Sequence, residues 1–368
     1  MVAGMIYCKT CCYPATRPDT FFDKSGVCSG CLSFAERKNI DWSKRLEALK
    51  QHIADARAHG GPYDCVVPVS GGKDSTYQVI KMLELGARVL CVHAATDYPS
   101  EIGRRNLDNL KRFADLIEVT PNIEVRKKLV RIGLRTIGDL SYPEHLAIWS
   151  IPTRIANQMN IPLVVWGEQP QREYATPEGV APAEVLDAAW VAQFGGMLGL
   201  RLDDIVGIDG LTEQDLVIYR FPSETKTVGI WLGDYVDWDG WKNFFIAQHY
   251  GFEAFPNLVE TSSANYENLD NKLTVLRDHL RYLKYGYTRS TDILSSHVRR
   301  GRITREEALI LENKRKYFPL TSLGTPIKEV LDYINITLDE FQDVCKKWKN
   351  TDIFKDDKSP CLQNESSP

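Results

Sequence analysis

The chain alternates short apolar runs with amphipathic stretches from about residue 63 onward. Tyr63 to Val69 is a short run, apolar from Cys65 onward, that fits a strand buried on both faces of a parallel sheet. The segment from about Asp74 to Leu85 follows, with Thr76, Val79, Ile80 and Leu83 at helical spacing and Gly86 closing it. Further strands are predicted at Arg88–His93, Leu116–Val119, Ile161–Trp166 and near Ile230–Leu232. Helices are predicted between them, at Glu101–Phe113 and within Ile123–Met159. Alternating strands and helices imply an α/β fold with a doubly wound parallel sheet.

The flanks read differently. Trp42 to His59 is a helix with Leu46, Leu49 and Ile53 on one face. Residues 170–228 lack clear periodicity, apart from a helix near Ala183–Phe194 and an acidic stretch from Asp203 to Asp215. They read as an insertion over the sheet edge, with a lid as one reading. The last third is helical, with capping-box patterns at Thr304–Glu307 and Thr337–Glu340. The expected organisation is a small cysteine unit at 1–40, an α/β domain at 41–255 and a helical region at 256–350. A polar, disordered tail is expected at 351–368.

Composition narrows the class. Hydrophobic and charged fractions of 43% and 26% are those of a globular protein. The net charge of −4 gives no global basic footprint, which argues against a nucleic-acid substrate. No secretory leader pattern and no run of 18 apolar residues are seen, so a cytoplasmic protein without membrane contact is expected. Of nine cysteines, five lie in the first 31 residues. Cys8-x-x-Cys11 and Cys28-x-x-Cys31 form two knuckles, the ligand set of a structural Zn²⁺ in a zinc-ribbon-like unit. Cys12 is an adjacent fifth thiol and leaves the ligand choice open.

The sharpest motif is Ser70-Gly71-Gly72-Lys73-Asp74-Ser75, placed between the first strand and its helix. Adjacent glycines let backbone N–H groups converge, and the helix N-terminus adds partial positive charge. Together they can cradle a polyphosphate. The motif is not a Walker A loop, because Val67 stands where the first glycine belongs and Asp74 follows the lysine. It resembles the signature of the PP-loop ATP pyrophosphatases, of the adenine nucleotide alpha hydrolase-like fold. That resemblance implies ATP gripped by its β- and γ-phosphates, attack at the α-phosphorus and departure of pyrophosphate with Mg²⁺. It gives Asp74 the metal and Lys73 the charge on pyrophosphate. It also puts nucleotide contacts at the later strand ends, at His93 and at Gly167-Glu168. A buried, satisfied histidine is an equal reading of His93.

No glutaminase nucleophile is present in either usual form, so ammonia must be imported if nitrogen is transferred. Cys65 and Cys91 lie inside strands and Cys345 is distant, so no catalytic thiol for sulfur transfer stands out. Across residues 5–350 the chain resembles the N-acetyl sugar amidotransferases of bacterial surface-polysaccharide biosynthesis. The resemblance rests on the two knuckles with Phe21-Phe22-Asp23, the loop, Trp166-Gly167-Glu168, Leu232-Gly233-Asp234-Tyr235 and Tyr282 to Asp292. It implies adenylation of a sugar acetamido oxygen and substitution by ammonia to an acetamidino sugar, in LPS O-antigen or nonulosonic acid synthesis. It implies as partners a separate glutaminase and a cyclase-like subunit, similar to those of imidazole glycerol phosphate synthase. It makes Arg289 and Asp292 active-site groups within the charged run Arg289–Arg302. Lys226 reads as a phosphate contact or an exposed lysine, and Trp231, Trp238 and Trp241 as core or sugar-stacking residues. The competing reading is a PP-loop enzyme that modifies tRNA.

Overall fold

The computed structural model describes residues 5–314 and 318–355. After the cysteine segment come α1 (Ser29–Glu36) and α2 (Trp42–Ala58). The α/β unit then runs β1 (Cys65–Pro68), α3 (Lys73–Glu84), β2 (Val89–Ala94), α4 (Glu101–Leu110), β3 (Asp115–Val119), α5 (Ile123–Ile137), α6 (Tyr142–Gln158) and β4 (Leu163–Trp166). Short helices α7 (Pro170–Glu173), α8 (Ala188–Phe194) and α9 (Glu213–Leu216) lead to β5 (Val228–Trp231) and α10 (Gly240–His249). The remainder is α11 (Thr274–Tyr285), α12 (Arg289–Arg299), α13 (Arg305–Asn313), a small hairpin of β6 (Thr321–Ser322) and β7 (Thr325–Pro326), α14 (Ile327–Tyr333) and α15 (Leu338–Trp348).

The five long strands form one sheet in the order β3-β2-β1-β4-β5, every neighbouring pair parallel. The expected α/β, doubly wound sheet is therefore present. β1 and β2 are buried almost throughout because helices cover both faces. On one face, Leu49 and Ile53 of α2 and Val79 and Met82 of α3 meet Val67, Cys91 and Val165. On the other, Leu129 and Ile132 of α5 and Ala147 and Ile151 of α6 meet Val66, Leu90 and Val164.

The insertion is not a lid. Leu186 bridges antiparallel to Gly229 of edge strand β5. Trp190, Val191, Ile205, Leu216 and Tyr219 join the core over α6 and β4. Its apolar residues sit on short helices and 3₁₀ turns, so no single period marks them as core.

The C-terminal helices are not a loose appendage either. Leu276, Leu280, Val330 and Phe341 bury Val130 and Leu134 of α5. Phe244 and Ala247 of α10 pack with Val259, Leu269 and Val275. The expected box forms in full at Thr304–Glu307; at Thr337 only half of it forms, with Thr337 accepting from the Glu340 N–H while the Glu340 carboxylate pairs with Arg135 at 2.6 Å. Residues 351–355, placed in the tail by sequence, are partly packed: Ile353 is buried and Phe354 lies edge-on to Tyr282. The rest of the expected tail, from residue 356, lies outside the described residues.

Candidate active site

The loop at the end of β1 has a tight local geometry. Gly71 has φ +83°, and a Cβ there would stand 2.7 Å from the Leu107 amide nitrogen on α4. Only glycine meets both conditions without strain. Gly72 caps α3 in an extended conformation, and the hydroxyls of Ser75 and Thr76 donate to its carbonyl at 3.0 Å. The Gly72 N–H donates to Ser70 Oγ at 3.3 Å. The first-turn N–H groups of α3 have no helical acceptor and carry the positive end of its dipole.

This loop floors a cavity of about 320 Å³ lined by Ser70, Gly72, Lys73, Asp74, Ser75, Gly167 and Glu168. The cavity lies beyond the carboxyl ends of β1 and β4. β1 leads onward to β2 on one side and pairs with β4 on the other, so the crevice is the switch point where open α/β sheets bind ligands. Lys73 is 3% exposed, held by Asp74 and by Glu267 at 2.7 Å, and these charges raise its pKa against the pull of burial. Asp74 also accepts from Asn243 Nδ2 at 2.9 Å, which ties the loop to α10.

The opposite wall comes from the C-terminal region. Glu267 spans Lys73 and Arg289, the latter at 2.8 Å. Burial raises the Glu267 carboxyl, but Lys73 and Arg289 outweigh it and hold the pKa down at about 2. Arg289 also reaches the Tyr174 hydroxyl at 3.4 Å, and Tyr174 donates to Glu168 at 3.3 Å. Burial, then the Asp74 charge, raises the Glu168 pKa. Asp292 differs from Arg289, its neighbour on α12. It lines only an adjoining pocket of about 60 Å³, with its oxygens taken up by Arg17 at 3.3 Å, Arg281 at 3.4 Å and Arg289 at 3.8 Å. It anchors Arg289 rather than facing the larger cavity.

The far end of the cavity holds Glu144 and Asp270 beside the indoles of Trp149, Trp166 and Trp231. Burial pushes the Glu144 carboxyl up to about 8, with Asp270 adding to it, and burial pushes Asp270 up to about 6. Asn271 Nδ2 donates to Glu144 at 3.1 Å.

His93 does not reach this cavity, which corrects its expected place beside the nucleotide. Side chains alternate along β2, so Val92 and Ala94 line the cavity while His93 faces a separate space of about 200 Å³ with Arg104, Glu118 and Arg126. Its Nδ1–H donates to the Val69 carbonyl at 2.8 Å, and burial lowers its pKa. The buried-histidine reading holds. Lys226 is exposed and lines neither pocket at the loop. Trp238 is core against Tyr77, while Trp241 is 39% exposed under the Arg302 guanidinium. Arg300 and Arg302 are engaged by Asp239, and Arg299 lies over Tyr13.

The Sγ atoms of Cys8, Cys11, Cys28 and Cys31 all lie within 4.8 Å of one another and are buried. Two separations are 3.6 Å (Cys11–Cys28) and 4.0 Å (Cys8–Cys31). A tetrahedral ion with metal–sulfur bonds of about 2.3 Å sets edges of about 3.8 Å, so the residues fit Zn²⁺. Backbone N–H groups of Thr10, Cys11 and Cys28 point at Cys8 Sγ at 3.2–3.5 Å, as expected around a thiolate. Cys12 faces away, 3.1 Å from Ser295 Oγ, and is outside this cluster.

A parallel sheet with this loop at its switch point defines an α/β domain of the PP-loop type. Residues 251–365 match the family model described as LPS biosynthesis protein WbpG-like, C-terminal domain. That match agrees with the surface-polysaccharide family that the motifs resemble. Among solved structures, the chain is similar to NMN synthetase from Francisella tularensis, at 14% identity and TM-score 0.30, covering 59% of this chain and 99% of that one. It is also similar to NAD+ synthetase from Burkholderia pseudomallei, at 16% identity and TM-score 0.28, covering 62% and 95%. No curated protein matches the chain. No helix among the described residues is long and apolar enough to cross a membrane.

Sequence reasoning missed Glu267, Tyr174, Asn243, Glu144 and Asp270. Each comes from a segment remote from the loop, and only tertiary packing brings Glu267, Glu144 and Asp270 to the cavity, Tyr174 to the adjoining pocket and Asn243 to Asp74. The polar run Ser262 to Asp270, just before a helix, was the one visible signal for Glu267 and Asp270.

Proposed function

We propose that the chain is an ATP-dependent amidotransferase that converts the acetamido group of a sugar to an acetamidino group during LPS O-antigen or nonulosonic acid synthesis. The observation that carries this reading is the Lys73–Glu267–Arg289 bridge. It joins the phosphate loop to the WbpG-like region, so that region forms one wall of the nucleotide cavity.

In this reading the loop and the α3 N-terminus hold the β- and γ-phosphates of ATP, and Lys73 balances charge on departing pyrophosphate. The acetamido oxygen attacks the α-phosphorus, the bond to pyrophosphate breaks, and an O-adenylyl imidate forms. Ammonia adds to the imidate carbon, loses a proton and expels AMP. Glu168, whose pKa is raised by burial and by Asp74, is placed to take that proton. Arg289 and Tyr174 orient the acceptor. Asp74, beside the loop, suits a Mg²⁺ as a hard carboxylate ligand, and Glu168 stays free for the proton. When bound, that ion would neutralise phosphate charge. Zn²⁺ on the four cysteines would be structural. Ammonia would come from a glutaminase partner with a cyclase-like subunit, and the setting would be cytoplasmic.

The test is incubation with ATP, Mg²⁺, ammonium and acetamido sugars, comparing a UDP-linked diacetamido uronic acid with free nonulosonic acids. AMP, pyrophosphate and the mass change of oxygen replaced by NH are expected. ADP as the product, or turnover only with tRNA, refutes the reading.

A further inference from the structure

We propose that the four-cysteine ribbon is a clamp on the acceptor wall of the active site, and that Arg17 is a positioning residue for Arg289. The ribbon's own core is little more than its cysteines, Tyr13, Phe22 and Val27, with Val298 of α12 completing it. So small a core folds on metal binding energy. It is nonetheless docked by both of its knuckles, and each knuckle touches a different part of the acceptor wall.

The first knuckle grips α12. Cys12 Sγ contacts Ser295 Oγ at 3.1 Å and the Thr291 carbonyl at 3.5 Å. Tyr13, fully buried, lies under both Arg17 at 4.6 Å and Arg299 at 4.5 Å. Arg17 then pairs with Asp292 at 3.3 Å. From there opposite charges alternate to the loop: Asp292 to Arg289 at 3.8 Å, Arg289 to Glu267 at 2.8 Å, Glu267 to Lys73 at 2.7 Å. The second knuckle grips the segment after β4. A Cβ on Gly30 would overlap the Tyr174 carbonyl oxygen, so α1 lies directly on the backbone that presents Tyr174. Ser33 Oγ donates to the Arg172 carbonyl at 3.5 Å, and Arg299 ties the Glu173 carbonyl at 2.8 Å. Arg289 and Tyr174, which touch each other at 3.4 Å beside the adjoining pocket, are thus each backed by one knuckle.

Metal loss therefore releases the acceptor wall before it disturbs the loop, because α3 is built on β1, α2 and α10 and not on the ribbon. The consequence for turnover rests on the amidotransferase reading; the structural consequence does not.

The test uses the full chain, chelated and then reloaded with zinc, followed by hydrogen exchange. Protection should fall in 170–174 and 289–299, persist in 65–84, and return with zinc. Arg17→Ala should keep its zinc and its ATP affinity but lower kcat about 10²-fold, the scale of a reacting group displaced by about 1 Å. Arg17→Lys, which keeps the charge without the fork, should recover part of that loss. Unchanged exchange at 289–299 on chelation, or melting of 65–84 together with it, overturns the clamp. So does an Arg17→Ala variant with the wild-type kcat. Should wild type show no amidination, that reading fails by itself and the exchange result still decides the clamp.

Discussion

Replacing Glu267 by glutamine keeps the shape of the side chain and removes its charge. The carboxylate is 10% exposed and lies between Lys73, 3% exposed, and Arg289, 19% exposed. Its pKa of about 2 stands against an ordinary value of 4.5. That difference corresponds to about 3 kcal/mol of stability at neutral pH. The low end of the range for breaking a buried ion pair is also about 3 kcal/mol. With an unfolding entropy of about 2.1 cal/mol/K per residue, Glu267→Gln should lower the melting temperature by about 4 °C. The sign with pH follows from a depressed carboxyl. The stabilisation is complete above the unfolded pKa of about 4.5 and is lost as pH falls toward about 2. Calorimetry of wild type and variant should therefore show an equal gap at pH 7 and pH 5.5, narrowing on further acidification. Equal melting temperatures at pH 7, or a gap that widens in acid, would show that Glu267 does not balance the two cations.

Three further outcomes follow from the cavity. Gly71→Ala must accept φ +83° and a Cβ 2.7 Å from the Leu107 nitrogen, so it should cost more than about 2 kcal/mol in urea unfolding and abolish ATP binding; a variant with wild-type affinity contradicts the loop geometry. Asp74→Asn should nearly abolish pyrophosphate release while leaving zinc content unchanged, and unaltered release would remove Asp74 from the metal role. Glu144, raised to about 8 by burial and Asp270, keeps a proton that the unfolded chain releases above about pH 4.5, so wild-type stability should fall as pH rises from 4.5 to 8. Glu144→Gln should flatten that slope, measured by urea unfolding across the window, and an unchanged slope refutes the assignment.

The phosphate loop and the four-cysteine set were legible because their chemistry is local. Six consecutive residues between a strand and a helix already determine where N–H groups point, and two knuckles already carry four cysteine sulfurs. The parallel sheet was legible for a related reason, since strands buried on both faces need unbroken apolar runs. Local information, used further, would also have corrected His93. The alternation along β2 puts Val92 and Ala94 on one face and His93 on the other, a consequence of strand geometry and not of tertiary packing. Two features had no local mark. The insertion buries its apolar residues from short turns, so its role in the core leaves no period to read.

The acceptor wall is the deeper case, because its charges have meaning only as pairs. Arg289 and Asp292 lie three apart on α12 and carry opposite charge, so the sequence treats them alike. What separates them is the partner each finds: Glu267 draws Arg289 to the cavity, while Arg17 and Arg281 hold Asp292 behind it. Arg17 comes from the cysteine unit, which the sequence presents as a separate module. A wall assembled from the ribbon, the segment after β4 and the WbpG-like region can be repositioned without altering a residue of the phosphate loop. Under the proposed amidotransferase reading, acceptor choice would change with that wall while the loop that holds ATP stays fixed.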